Sequence, residues 1–136
     1  MWKIVLAAAA AASLAPASPA FATSTGPAPA PRPSAVARAQ TDLTLSYMAD
    51  AGYAAAVRLT CTTGDAHPNA AKVCAALRKV DGNPGRITPA QTMCTMEYSP
   101  VTATASGIWR GKKVAWSAKF GNPCLMRQAT GVLFVF

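Results

Sequence analysis

The chain has 136 residues, with 13 Lys and Arg against 5 Asp and Glu, one histidine, four cysteines and a net charge of +8. One histidine and a few carboxylates, mostly at turns, leave little material for nucleophilic or paired acid and base catalysis, and no Gly-x-Ser-x-Gly elbow or phosphate-binding glycine loop occurs. The basic excess favours acidic partners, yet it is scattered, with Lys112 and Lys113 the densest pair, and no nucleic-acid recognition motif is present.

Residues 1–22 read as a secretory signal: Lys3 supplies the charge, Ile4 to Leu14 an apolar core, and Ala20-Phe21-Ala22 the small-x-small cleavage pattern. Cleavage after Ala22 gives a secreted, extracellular protein, and no later stretch reaches the eighteen or so apolar residues of a membrane span. Residues 23–39, with Pro27, Pro29, Pro31 and Pro33, form a flexible Pro/Ala-rich arm. Residues 40–136 are left as one domain, small enough to need covalent staples.

Within that domain Thr41 to Met48 alternates, Leu43, Leu45 and Tyr47 on one face and Thr44, Ser46 and Met48 on the other, which predicts a half-buried strand. A turn at Asp50-Ala51-Gly52 leads to a second strand over Ala55 to Thr62, with Val57, Leu59 and Cys61 inward, and a hairpin follows from the pair. His67 reads as a solvated turn residue or a helix-cap neighbour, and Pro68 suits the first turn of a helix over Asn69 to Val80, where Val73, Leu77 and Val80 form the apolar stripe. Asp81-Gly82-Asn83-Pro84-Gly85 stops that helix. Val101 to Ser106 and Lys113 to Phe120 alternate as strands, with Gly107 and Gly111 allowing bends or turns. Pro123 to Gln128 suits a short helix, and Val132 to Phe136 closes the chain as an apolar strand. Strands consecutive in sequence, five in all with two helices, predict an antiparallel α+β domain.

Four cysteines behind a signal predict two disulfides, in any of three connectivities. Cys61, Cys74, Cys94 and Cys124 lack the close pairs of a zinc site, so neither metal nor cofactor is expected. Sequential pairing would close loops of 13 and 30 residue steps, constraining the unfolded chain by roughly 3 and 3.7 kcal/mol on the entropic model.

The segment Met93-Cys94-Thr95-Met96-Glu97-Tyr98-Ser99-Pro100 sets an unbranched apolar side chain two residues after a cysteine and four before a proline. A rigid extended loop with such a side chain can enter a protease as a substrate does, because the protease brings its own catalytic groups and rigidity lowers the ordering cost of binding. The same residues also fit a core strand with Met96 and Tyr98 on one face, and the loop alone decides nothing between the two. Asn122, before Pro123 and Cys124, is either an amide holding the loop backbone or a simple turn residue.

That stretch through Val101, with Gly107 to Val114, Asn122 to Met126, Val132 to Phe136, and the upstream Leu59-Thr60-Cys61 and His67-Pro68, resembles the Streptomyces subtilisin inhibitor family over about Leu43 to Phe136. The resemblance implies a secreted, substrate-like inhibitor of subtilisin-type serine proteases and not an enzyme, with a five-stranded antiparallel sheet, two helices and a homodimer formed through the sheet. It implies the pairs Cys61 with Cys74 and Cys94 with Cys124. It also implies a reactive bond Met96-Glu97, with Met96 in the primary pocket, Met93 in a second apolar subsite, Thr95, Tyr98 and Ser99 alongside, and Pro100 and Asn122 in support. The chain departs from the pattern at Thr95, where a proline is expected, and at Glu97, where a small apolar residue is; the carboxylate either disfavours some targets or selects ones with a basic subsite. Trypsin- or chymotrypsin-like proteases are further candidate targets. From another class stands a non-inhibitory basic module that binds anionic envelope polymers, for which net charge alone speaks. Trp109 and Trp116 suit a dimer interface as readily as a core.

Overall fold

A computed structural model describes residues 26–30 and 40–136; the expected signal segment 1–22 and most of the expected arm 23–39 lie outside the described residues. Residues 26–30 are exposed and carry neither helix nor strand.

In the domain, β1 (Asp42–Ala49) and β2 (Ala54–Leu59) form the expected hairpin, Leu43 opposite Leu59 and Met48 opposite Ala54. The strand β3 (Val101–Trp109) pairs antiparallel with β1 and with β4 (Lys112–Phe120), so the order is β2-β1-β3-β4. The second strand stops at Leu59, short of the expected Thr62, because Cys61 takes a left-handed φ of 59°. The Asp65 carboxylate turns the chain there by accepting the backbone N–H of Thr60 at 2.7 Å and of Cys61 at 2.8 Å. Gly107, expected as a bend, stays within β3 and is needed there. Its φ is +131°, and a Cβ would stand 2.1 Å from the Asp42 carbonyl oxygen.

The period-two alternation puts Leu43, Leu45, Val57, Leu59, Val101, Ala103, Ala105 and Trp109 on one face of the sheet, all buried. Two helices cover this face. The first, α1 (Ala70–Lys79), contributes Val73, Cys74 and Leu77, and the Cys61–Cys74 disulfide ties it to the chain leaving β2. The second, α2 (Pro123–Thr130), contributes Met126. Trp109 is fully buried and Trp116 stacks on Phe134 with ring centroids 6.0 Å apart, so both tryptophans serve the core within one protomer.

The expected fifth strand does not form among the described residues. After α2 ends at Gly131, Val132 to Phe136 makes two tight turns, Leu133 N–H to Thr130 O and Val135 N–H to Val132 O, and buries Leu133 and Phe134 in the core. Its carbonyls bind side chains instead of a neighbouring strand. His67 Nε2 donates to Leu133 O at 2.9 Å and Asn69 Nδ2 to Val135 O at 3.4 Å. A five-residue apolar run signals burial without specifying backbone conformation, which is why it reads as a strand.

The same contacts correct the reading of His67 as solvated, while its helix-cap role holds. The ring is 3% exposed and packs edge-on against Phe136. Its Nδ1 accepts the Asn69 N–H at 2.9 Å just before α1, which assigns the proton to Nε2.

Candidate functional site

Between the one-turn helix Pro84–Arg86 and β3, residues 88–100 run without helix or strand along α2 and the end of β4. Among the described residues seven tethers hold this segment, none through the side chain of Met93, Met96 or Tyr98. At its start the Ala90 N–H donates to Gln128 O at 2.8 Å, and the Gln128 side-chain amide donates to Thr92 O. The Cys94–Cys124 disulfide fastens the middle to the first turn of α2. Beyond it the Ser99 N–H donates to Gly121 O at 2.8 Å, and Pro100 O accepts the Asp50 N–H at 2.9 Å.

The remaining two tethers come from Asn122. Its Oδ1 accepts the Leu125 N–H at 2.9 Å, capping α2 ahead of Pro123, and this bond fixes which way the amide faces. Nδ2 then points at the loop, donating to Thr95 O at 3.1 Å and Glu97 O at 2.8 Å. One amide, 4% exposed, thus grips the backbone on both sides of the Met96 carbonyl. Asn122 does both things the sequence left as alternatives: it begins the helix and it holds the loop.

With the backbone so held, the side chains face outward. Met93 is 99% exposed, Met96 96% and Tyr98 81%, which rules out the core-strand reading of these residues. Three large apolar side chains are thus displayed together on one tethered segment, which makes it the candidate binding surface. The Glu97 carboxylate is also exposed and enters no salt bridge among the described residues. No group of three or more His, Cys, Asp or Glu able to hold a metal occurs among the described residues.

The contributions of Gln128, Gly121 and Asp50 are missing from the sequence reading. They act through backbone groups or a flexible amide, and nothing in residue type announces such partners.

The family model described as subtilisin inhibitor-like matches residues 37–122, more than half of the chain. The chain belongs to this family. It is 45% identical over 92 residues to "Protease inhibitor SIL-V2" of Streptomyces orinoci, covering 65% of this chain and 84% of that one. It is 37% identical over 100 residues to the "Subtilase-type protease inhibitor" of Streptomyces coelicolor, covering 69% of each. Among solved structures, Streptomyces caespitosus sermetstatin in complex with Bacillus licheniformis subtilisin matches with a TM-score of 0.60 and 27% identity, covering 71% of this chain and 99% of that one. The family is one of protease inhibitors, which are not enzymes. Among the described residues no helix is long and apolar enough to cross a membrane.

Proposed function

We infer that this protein is a secreted, substrate-like inhibitor of subtilisin-type serine proteases whose reactive bond is Met96-Glu97. The observation that carries the reading is the pairing of a nearly fully exposed Met96 with an amide that binds the carbonyls of Thr95 and Glu97. In the complex Met96 fills the protease's primary pocket and Met93 a second apolar subsite, while Thr95, Tyr98 and Ser99 line the contact. The protease's serine oxygen adds to the Met96 carbonyl carbon, and the C–N bond to Glu97 breaks with the proton going to the new amine. That amine does not diffuse away. Glu97 O stays bound to Asn122, and Ser99 and Pro100 stay tied to Gly121 and Asp50, so the amine is held for religation in competition with hydrolysis. On the other side of the bond the Cys94–Cys124 disulfide and the Thr95 contact hold the acyl half.

Titrating subtilisin with the secreted protein tests this: activity falls to zero at one inhibitor per enzyme, and mass analysis of slowly formed product finds a single cut between residues 96 and 97. A cut elsewhere refutes the bond assignment, and an undiminished activity refutes the function. The mass of the secreted chain also tests the signal and arm boundaries, a start at Thr23 being expected.

The sheet's outer face supports a homodimer. Thr44, Ser46, Ala54, Ala56, Thr102 and Thr104 present small side chains on one surface, and Met48 stands 64% exposed beside them. Such a face lets a second sheet approach closely. Sedimentation at micromolar concentration gives twice the monomer mass, and a Ser46→Arg change returns the monomer.

A further inference from the structure

We propose that this protein carries an oxyanion site, built for a phosphate group, in the cavity between the start of β1, the end of β2 and the C-terminal end of α1. The cavity is about 480 Å3, and Arg58, Arg78 and Arg110 line it together with the hydroxyl residues Thr60 and Thr62. Asp42 is the one carboxylate residue on its wall, and it is committed to Arg58, whose Nε and Nη2 reach the two carboxylate oxygens at 2.7 and 2.6 Å. Asp65, in the adjoining cavity that also borders Arg78, turns its oxygens on Thr60 and Cys61. Asp81 pairs with Lys112. Arg78 and Arg110 therefore form no salt bridge among the described residues, and the wall carries three guanidiniums against one carboxylate, an excess of two positive charges.

Two further observations fall on the same wall. Cys61 and Arg110 are two of the three non-glycine residues with positive φ among those described, at 59° and 46°. Arg110 is the first central residue of the two-residue turn joining β3 to β4, a position that favours Asn, Asp or Gly. Retaining arginine against that preference argues that its side chain is used. Trp109 also lines the cavity, so its indole reports on the site, while its Nε1–H is itself buried and has no partner among the described residues. The donors free to meet a ligand on this wall are the guanidiniums of Arg78 and Arg110.

A phosphate dianion matches this arrangement in charge, in its need for several convergent donors, and in its fit to planar guanidinium forks. The volume admits phosphate itself or the terminal group of a small phosphomonoester. The cavity shares no lining residue with the reactive loop, so the site stands apart from inhibition.

Calorimetric titration of the secreted protein at low ionic strength, with inorganic phosphate in one arm and glycerol 3-phosphate in the other, tests the proposal. Saturable one-to-one binding is expected, with the Trp109 indole N–H resonance shifting as the site fills. Tighter binding of the ester assigns a phosphomonoester as ligand, and equal affinity assigns phosphate. The double change Arg78→Gln with Arg110→Gln weakens binding at least about tenfold, each lost charge-assisted contact contributing. Lys72→Gln with Lys113→Gln removes the same charge from residues outside the cavity and leaves affinity within about twofold. All four side chains are exposed, so folding is not at stake. No saturable binding in either arm, or an equal loss in the lysine control, overturns the proposal.

Discussion

Removing the Asn122 amide separates what holds the loop from what holds the helix. Asn122→Ala deletes both donors to the loop, at 3.1 and 2.8 Å, and the acceptor that caps α2 at 2.9 Å. Asn122→Ser keeps a side-chain oxygen able to cap, but is too short to reach either carbonyl. The freed carbonyls of Thr95 and Glu97 lie on an exposed segment where water replaces the lost donor, so each bond contributes toward the low end of the usual range. That places the serine variant about 1–2 kcal/mol below the native protein. The alanine variant loses about 1 kcal/mol more for the cap. If the same interaction keeps the Glu97 amine in place during religation, its loss speeds net hydrolysis by about 5- to 30-fold. The assay holds stoichiometric inhibitor with subtilisin and follows recovery of protease activity together with accumulation of the 96/97-cleaved chain, while thermal unfolding reports stability separately. A serine variant hydrolysed as slowly as the native protein would refute the holding role, whatever its melting temperature.

Met96→Lys should shift inhibition from subtilisin-type toward trypsin-like proteases with the melting temperature unchanged within about 2 °C, because the side chain contributes no burial; a large loss of stability would contradict its free display. Gly107→Ala should destabilise the domain by about 3 kcal/mol or more in a denaturant titration, since its Cβ would stand 2.1 Å from the Asp42 carbonyl oxygen at a φ of +131°. Burial acts to raise the pKa of Asp65, but hydrogen bonds from the Thr60 hydroxyl and the N–H groups of Thr60, Cys61 and Thr62 outweigh it and hold the carboxyl below its ordinary 3.8. A folded pKa below the unfolded value gives stability that is present above about pH 4 and lost as pH falls through the lower folded value. Unfolding midpoints should therefore drop below about pH 4, less steeply in Asp65→Asn, and an unchanged slope in that variant would count against this role.

The strands were legible where one face is buried and the other wet: Leu43, Leu45, Val57 and Leu59 alternate with Thr44, Ser46, Ala56 and Arg58, and register follows from that alternation. The first helix was legible to within a residue at either end. The terminal Val132 to Phe136 was not, because an all-apolar run states that it is buried and leaves open how its carbonyls are satisfied. His67, Asn69 and Tyr47, more than sixty residues away in sequence, satisfy them. His67 was half legible for the same reason: Pro68 and the helix after it announce a cap, while the Leu133 carbonyl and the Phe136 ring that bury it come from the far end of the chain. In the loop, residue types suggested the display of Met96, yet spacing allowed a core strand equally. Exposure decides it, and exposure depends on α2 taking over the backbone.

This division of labour bears on how the protein's target could change. Backbone groups of residues 90, 92, 95, 97, 99 and 100 and the Cys94 sulfur fix the segment, while the side chains of Met93, Met96, Glu97 and Tyr98 enter none of these tethers. On the proposed reading, substitution at those four positions alters what a protease meets without drawing on the core, so affinity and stability vary independently there, as distant, uncoupled sites do. Thr95 fits the same logic. A proline at that position would restrict the backbone in the free loop, but the Asn122 donor on Thr95 O already supplies a restraint from outside the residue. If that restraint substitutes for proline, Thr95→Pro should slow hydrolysis markedly in the Asn122→Ser background and little in the native one. Equal gains in both backgrounds would mean that the two restraints act on different motions of the loop.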